Sequence, residues 1–387
     1  MKILNLTTAI PSRFGTGADI ASQHFINAMK ALGHSVSIVG YRRWGDPHSY
    51  SKETIEVGER HIETSSAGIH SLLWAAIALF RQLPYSSAKY YSDRYVQTVR
   101  SLLSQQHYDV IVLEHSSQLC WLKPALVEHS KIAVLAHNVE HEIYQQRLKV
   151  SPDHLKKRVY QREAQLVKQI EANLAVTSEA VWTLSPHDAS YFRQFNKTDS
   201  VKVFELPVNV FPVNPTHRKT YDIGMIGSWI WKPNADGLCY FFDQVYPHLP
   251  AHVTIRVAGR GAEWLKGQYH NVEYLGFVED AQAFLAEARA IAVPSICGGG
   301  VQLKTLEAIG LALPVVATPF ALRGLTTLPA TVYPAEHPEQ FAQAIQTAIA
   351  RSITVDDLDS VKTWVQSRYN QFLHSVDTAL SLLTHEA

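Results

Sequence analysis

Residues 294–310 read P-S-I-C-G-G-G-V-Q-L-K-T-L-E-A-I-G, and their types and spacing suit the binding of a phosphorylated ligand. A short apolar strand, residues 290–293, runs into the triple-glycine turn Gly298-Gly299-Gly300, and a helix is expected to open at Val301. Free N–H groups at a helix start attract anions, and glycines let a phosphate approach the backbone closely. Lys304 and Glu307 fall three residues apart on one helical face, which sets a cation for phosphate beside a carboxylate suited to accepting sugar hydroxyls. The other reading is a solvated surface ion pair, and structural context must decide between them.

Further candidates lie at the ends of other apolar runs. His137 follows the strand 132–136 at its carboxyl end, where an α/β sheet places ligands, and its imidazole can hydrogen-bond a sugar. Asn138 reads as a turn residue and Glu140 as a charge or cap on the next helix. Lys232 follows the strand 221–226 and the turn Gly227-Ser228; it is either a point charge for a diphosphate or a surface lysine beside Pro233. Arg260, in A-G-R-G, is a second cation for that site or a loop residue. The N-terminal loop F-G-T-G-A-D, residues 14–19, is not a dinucleotide fingerprint. Ile20 stands where a third Gly or Ala is needed, and Tyr41-Arg42-Arg43 stand where an acid should close the second strand. No cluster with divalent-metal ligand spacing is visible beside the candidate diphosphate site, so no metal is expected.

The elements that must position these residues alternate along the chain. Residues 2–6 form a strand, 7–17 a loop and 18–32 a helix, with Ala21, Phe25, Ala28, Met29 and Leu32 at helical spacing and Gly33 at its end. Strands are expected at 36–39, 109–113, 132–136 and 174–177, then in a second series from Tyr221 with runs at 253–257, 272–275, 290–293 and 315–318. Apolar runs between helical stretches mark parallel sheets with crossovers. The proline- and asparagine-rich stretch 206–215 places a linker near 211–219. The expected division is an N-terminal domain of residues 1–212 and a C-terminal domain of residues 218–360, with a last helical stretch at about 355–383.

Length and composition agree. A chain of 387 residues with 46% hydrophobic and 18% charged residues can bury two sizeable cores. Lysine plus arginine equals aspartate plus glutamate at 35 each, so no strong attraction to nucleic acid or to an anionic membrane follows from net charge. The three cysteines lack CxxC spacing, which argues against a disulfide framework and fits a reducing cytoplasm. Residues 1–6 read as a first strand rather than an export signal. The most apolar run, S-L-L-W-A-A-I-A-L-F at 71–80, is far short of the about 20 residues of a membrane span. It is read as a buried or cleft-lining helix, with peripheral contact at the inner face of a membrane or with a lipid-like acceptor as the alternative.

The 294–310 segment resembles the C-terminal signature of family-four glycosyltransferases of the GT-B fold, which read G-G-G-x-x-L-K-x-L-E-A before a Pro-Val-Val strand; here that strand is P-V-V-A-T at 314–318. Other pieces match in order: F-G-T-G-A-D, H-N-V-E-H-E-I-Y at 137–144, L-P-V-N-V at 206–210, G-S-W-I-W-K-P-N at 227–234, G-F-V-E-D at 276–280 and A-L-R-G-L at 321–325. The resemblance implies an α/β chain of two doubly wound Rossmann-like domains facing each other across a cleft, the first for the acceptor and the second for a nucleotide-sugar donor. It also implies that the terminal helix, from about residue 361 to 387, packs back on the first domain.

Carried over residue by residue, the resemblance puts the donor nucleotide and diphosphate at Gly15, Gly17, Ser228, Arg260, Phe277, Gly299, Gly300, Val301, Lys304 and Glu307. The loop at Gly276-Phe277-Val278 would meet the nucleobase through its backbone, leaving the Phe277 ring to the core. The donor sugar would lie at His137, Gly298 and Gly299, with His137, Lys232 and Lys304 serving the chemistry. Two departures stand out. Trp229, Trp231 and Lys232 replace the usual Arg and Lys-Gly pair, and Gly299 stands where many relatives carry a glutamate toward the donor sugar.

The implied activity is a metal-independent, retaining transfer of a hexose from a UDP- or GDP-type sugar to a saccharide, lipid-linked or small-molecule acceptor, without cofactor or nucleic acid. The alternatives are a nucleotide-sugar 2-epimerase of similar architecture and a non-catalytic nucleotide-sugar-binding partner.

Overall fold

The structure is a computed structural model, and it describes residues 1–11, 17–48, 51–62, 68–115, 117–126, 131–196, 200–208, 218–298 and 302–385. It divides into two units, one of Met1–Leu206 with Gln371–Ala387 and one of Pro207–Asn370. The linker placed at 211–219 falls almost wholly outside the described residues.

The first unit is built on seven strands: β1 (Lys2–Ala9), β2 (Ser35–Arg43), β3 (Thr54–Arg60), β4 (Val110–Glu114), β5 (Ile132–Ala136), β6 (Ala180–Thr183) and β7 (Val201–Val203). They pair in parallel in the order β3-β2-β1-β4-β5-β6-β7. Helices α1 (Gly17–Ala31), α2 (His70–Phe80), α3 (Tyr85–Ala88), α4 (Asp93–Gln105), α5 (Lys123–Leu126), α6 (Glu140–Val150), α7 (His154–Thr177) and α8 (Pro186–Phe192) complete it. Central strands such as β1 and β4 are buried almost along their whole length because both faces are covered, and the few polar residues they carry, such as Asn5 and Glu114, are buried with them. Ser92, Asp153 and Ser185 cap α4, α7 and α8 by accepting backbone N–H bonds in the first turn.

The second unit carries β8 (Tyr221–Ile226), β9 (Ile255–Ala258), β10 (Val272–Gly276), β11 (Ala288–Val293), β12 (Val315–Ala317) and β13 (Val332–Pro334), all parallel, in the order β10-β9-β8-β11-β12-β13. Its helices are α9 (Lys232–Tyr240), α10 (Ala281–Ala286), α11 (Leu303–Gly310) and α12 (Pro338–Ala350). The last helix, α13 (Val355–His385), begins in this unit and ends in the first. There Phe372 packs edge-on against Phe25 of α1, at 5.0 Å, and Phe25 stacks on Trp182. Both units are therefore α/β and Rossmann-like, as expected.

Three expectations change. The apolar run 174–177 is the last turn of α7, where Ala164, Val167, Glu171 and Leu174 are buried at helical spacing and no breaker interrupts the chain from His154 onward; the strand lies three residues later, at β6. The described part of the glycine-rich helix starts at Leu303, two residues after the expected Val301. The run 71–80 is a helix but not a buried one: only Trp74 and Ala78 of α2 are buried.

Candidate functional site

Each sheet has one point where strand order reverses, between β1 and β4 in the first unit and between β8 and β11 in the second. Loops leaving the carboxyl ends of strands beside such a point form the usual ligand crevice of an open α/β sheet. The candidate residues gather at these two places.

In the second unit, the loop after β8 and the loop after β11 meet. Lys304, at the second position of α11, donates to Asn234 Oδ1 at 2.7 Å, and Asn234 Nδ2 donates to the Ser228 carbonyl at 3.0 Å. The segments G-S-W-I-W-K-P-N and G-G-G-V-Q-L-K are thus joined through residues 70 positions apart. Burial lowers the Lys304 ammonium to about 8, against the opposing influence of Cys297. Lys232 is exposed and bonded to Asp236 one turn on, which raises its pKa. Cys297 lies in the field of both lysines, with Sγ 3.9 Å from Asp236 Oδ2.

The Glu307 carboxylate has no hydrogen bond or ion pair among the described residues; the residue is exposed to solvent, and desolvation by the surrounding protein raises its pKa. Lys304 and Glu307 are therefore not a surface ion pair: the lysine turns to Asn234 and the carboxylate is left without a partner. Gly298, at φ +131°, offers its carbonyl to Arg323 Nη1 at 3.3 Å. Gly299, Gly300 and Val301 lie outside the described residues, as does Gly15 of the first unit.

The loop after β9 packs backbone to backbone against the loop after β8. Trp229 N–H donates to the Arg260 carbonyl at 2.9 Å, and the Trp229 indole donates to the Ala258 carbonyl at 2.8 Å. Gly259, at φ +106°, accepts this approach only because it has no side chain: a Cβ there would stand 1.8 Å from the Gly227 carbonyl oxygen. The Arg260 guanidinium lies 5.1 Å over the Phe277 ring. Phe277, expected in the core, is instead 65% exposed beneath that cation, because its strand ends at Gly276 and the chain turns outward there at φ +70°.

In the first unit, His137 leaves the end of β5 and its ring stacks on His115 at the end of β4, with centroids 4.2 Å apart and planes 10° from parallel. Both His137 ring nitrogens are buried without a hydrogen-bond partner. Burial, and then the neighbouring His115, hold its pKa well below the ordinary value; burial holds His115 at about 4. Both rings are therefore neutral at pH 7 and can donate or accept. Beside them Glu114, fully buried, accepts from Asn5 Nδ2 at 2.8 Å and from the Ser22 hydroxyl, and burial raises its pKa. Gly17 opens α1, and Asp19 in its first turn bonds Arg43 of β2 at 2.5 Å.

Glu114, His115 and His137 each offer a donor atom within 4.8 Å of the others, so this trio is where a metal would be sought. Parallel stacked rings, however, aim their in-plane lone pairs along parallel lines rather than at one point, and both Glu114 oxygens already serve protein donors. The arrangement suits a hydroxyl-bearing organic ligand better than an ion.

The rest of the H-N-V-E-H motif is structural. His141 Nδ1 pairs with the buried Glu171 at 2.7 Å, and the Glu140 carboxylate takes the Ser117 hydroxyl at 2.6 Å and Gln118 Nε2 at 3.0 Å. Burial lifts Glu140 from 4.5 to about 7. A carboxyl raised in the fold binds a proton that the unfolded chain releases, so its stabilisation is full below pH 4.5 and lost as pH rises to about 7. We expect stability to fall by up to about 3 kcal/mol over that window, and Glu140→Gln to flatten the slope in melting curves recorded from pH 5 to 8.

Residues that the sequence did not single out include Asn234, Arg323, Glu114 and His115. The signal for the last two was present: a histidine directly follows each of two neighbouring strands, His115 after β4 and His137 after β5, and Glu114 pairs with Leu135, two residues before His137.

Residues 220–351 match the family model described as "Glycosyl transferases group 1", which lies within the second unit. No curated protein sequence matches the chain. Solved structures similar over nearly the whole length include WaaG, a glycosyltransferase involved in lipopolysaccharide biosynthesis (15% identity, 99% of this chain and 100% of that one, TM-score 0.59). A glycosyltransferase from Rickettsia africae is similar at 13% identity, over 100% and 99% of the two chains, with a TM-score of 0.62. HepE of Anabaena, solved with UDP-glucose, is similar at 15% identity over 99% and 98%, with a TM-score of 0.57. The chain has the fold of these GT-B glycosyltransferases, and the resemblance carried by its motifs agrees with the family match.

Proposed function

We propose that the protein is a retaining glycosyltransferase that moves a hexose from a UDP- or GDP-sugar to a saccharide, lipid-linked or small-molecule acceptor held by the first unit. The observation that carries this reading is the state of α11, inside the family-matched segment: a partly desolvated lysine pinned by Asn234, and one turn away a carboxylate without a partner. A nucleoside diphosphate supplies what both lack. Its phosphates take the Lys304 ammonium, and its ribose diol donates to Glu307. Arg260 over the exposed Phe277 ring, beside the Gly276 turn, offers a face for the base.

In this reaction the bond between the anomeric carbon and the diphosphate oxygen breaks, and the negative charge that grows on the diphosphate is met by Lys304 and Lys232. The acceptor hydroxyl bonds to the anomeric carbon on the same face and gives its proton to a phosphate oxygen. His137, neutral and unpartnered, holds a sugar hydroxyl and carries no charge through the step. Cations of the protein take the part a divalent ion would play, and positioning and charge stabilisation supply the rate.

The test is turnover with a panel of nucleotide sugars and acceptors, with and without EDTA, and with the product's anomeric coupling constant read by NMR. The expected result is an unchanged rate under chelation and a retained configuration. Loss of activity restored by a divalent ion, or inversion at the anomeric carbon, overturns this mechanism; isomerised donor without acceptor identifies an epimerase instead.

A further inference from the structure

Helix α2 turns one apolar side outward. At 100° per residue, Trp74 and Ala78 mark one side, and these are its only buried residues. Ile69, Leu72, Leu73, Ala76, Leu79 and Phe80 occupy the opposite side. The large ones among them are between 56% and 90% exposed, Phe80 the most. A single exposed leucine is ordinary; five large apolar residues on one helix face are a surface that expects cover.

The neighbouring surface is basic. Arg162 of α7 donates to the Ala78 and Leu83 carbonyls at 3.0 and 3.2 Å, fixing the end of α2 to that helix. One and two turns before Arg162, on the same face of α7, come Arg158, Val159 and Leu155, all exposed; Lys156, also exposed, points from another side of the helix. Between residues 143 and 162 the sequence has six lysines and arginines and one acid, Asp153; between 68 and 92 it has no acid.

We propose that α2, with the basic first turns of α7, docks the protein onto an anionic phospholipid bilayer. The face carries no polar group that could fix a protein partner in register, whereas a bilayer needs only apolar depth with cations at the headgroup level. A second copy would bring the same basic rim against itself, which repels. No helix among the described residues is long and apolar enough to cross a membrane, so the contact lies in the interface plane. This inference is independent of the proposed sugar transfer.

The experiment is co-sedimentation of the full chain with vesicles of phosphatidylcholine alone and of phosphatidylcholine with phosphatidylglycerol, at low and high salt, alongside sedimentation velocity without lipid. The parent should pellet with the anionic vesicles only, and less so in high salt. The double variant Leu72→Ser/Phe80→Ser should lose at least about tenfold in partitioning, and Lys156→Gln/Arg158→Gln about tenfold on anionic vesicles. All should melt like the parent, since the altered side chains are exposed. Equal pelleting with both vesicles, no pelleting, unchanged partitioning of either variant, or a dimer dispersed by Leu72→Ser/Phe80→Ser overturns the proposal.

Discussion

Lys304→Ala should lower turnover by about 10²–10³-fold while changing nucleotide affinity much less. The ammonium is held at 2.7 Å by Asn234 and is partly desolvated, which is why its pKa falls to about 8. In such surroundings a fixed charge is worth more than in water and needs no reorganisation as the diphosphate takes up charge. Only interactions that strengthen in the transition state raise the rate, so the loss should appear in kcat. Because Lys304 is charged only below its pKa, kcat of the parent should fall as pH rises above about 8 and stay level in Lys304→Arg. A kcat for Lys304→Ala within about twofold of the parent, from steady-state kinetics with the preferred donor, would remove Lys304 from the chemistry.

Gly259→Val should unfold the second unit or cost it more than about 4 kcal/mol. Its Cβ would occupy a place 1.8 Å from the Gly227 carbonyl oxygen, and the backbone φ of +106° is one that side-chain-bearing residues rarely adopt. Neither the loop after β8 nor the loop after β9 can give way without moving Trp229, whose indole and backbone are both bonded into this contact. Gly267 is the control. It also has positive φ, +74°, but a Cβ there meets nothing within 4 Å, so Gly267→Ala should cost only about 1 kcal/mol. Thermal melts of both variants check this; equal, small shifts would mean that the close approach at Gly259 does not hold the two loops together.

The parallel strands were legible because strands covered on both faces show as unbroken apolar runs. Three of the four edge strands were not: β3 alternates polar residues as T-I-E-V-G-E-R, and β7 and β13 are three residues long, whereas β10 was read at 272–275. The run 174–177 misled because a short apolar stretch has no period of its own, and only the spacing back to Ala164 marks it as helix. At the site, residue types and local spacing singled out Lys304, Glu307 and His137, but not their partners. Asn234 stands 70 residues from Lys304, and Glu114 looks like an ordinary strand end until the fold buries it against Asn5 and Ser22. Burial itself was the hardest to read: α2 and Phe277, both apolar enough for a core, are exposed.

Calorimetric titration of UDP and of GDP into the parent, Glu307→Ala and Lys304→Ala, with each protein's melting checked first, tests the nucleotide site most directly. One of the two nucleotides should bind the parent without added metal, and Glu307→Ala should weaken it by about 1.5–3 kcal/mol, the range for hydrogen bonds to a charged acceptor, while the melting temperature holds. Equal affinity in all three proteins, or no binding of either nucleotide by the parent, would contradict this nucleotide site.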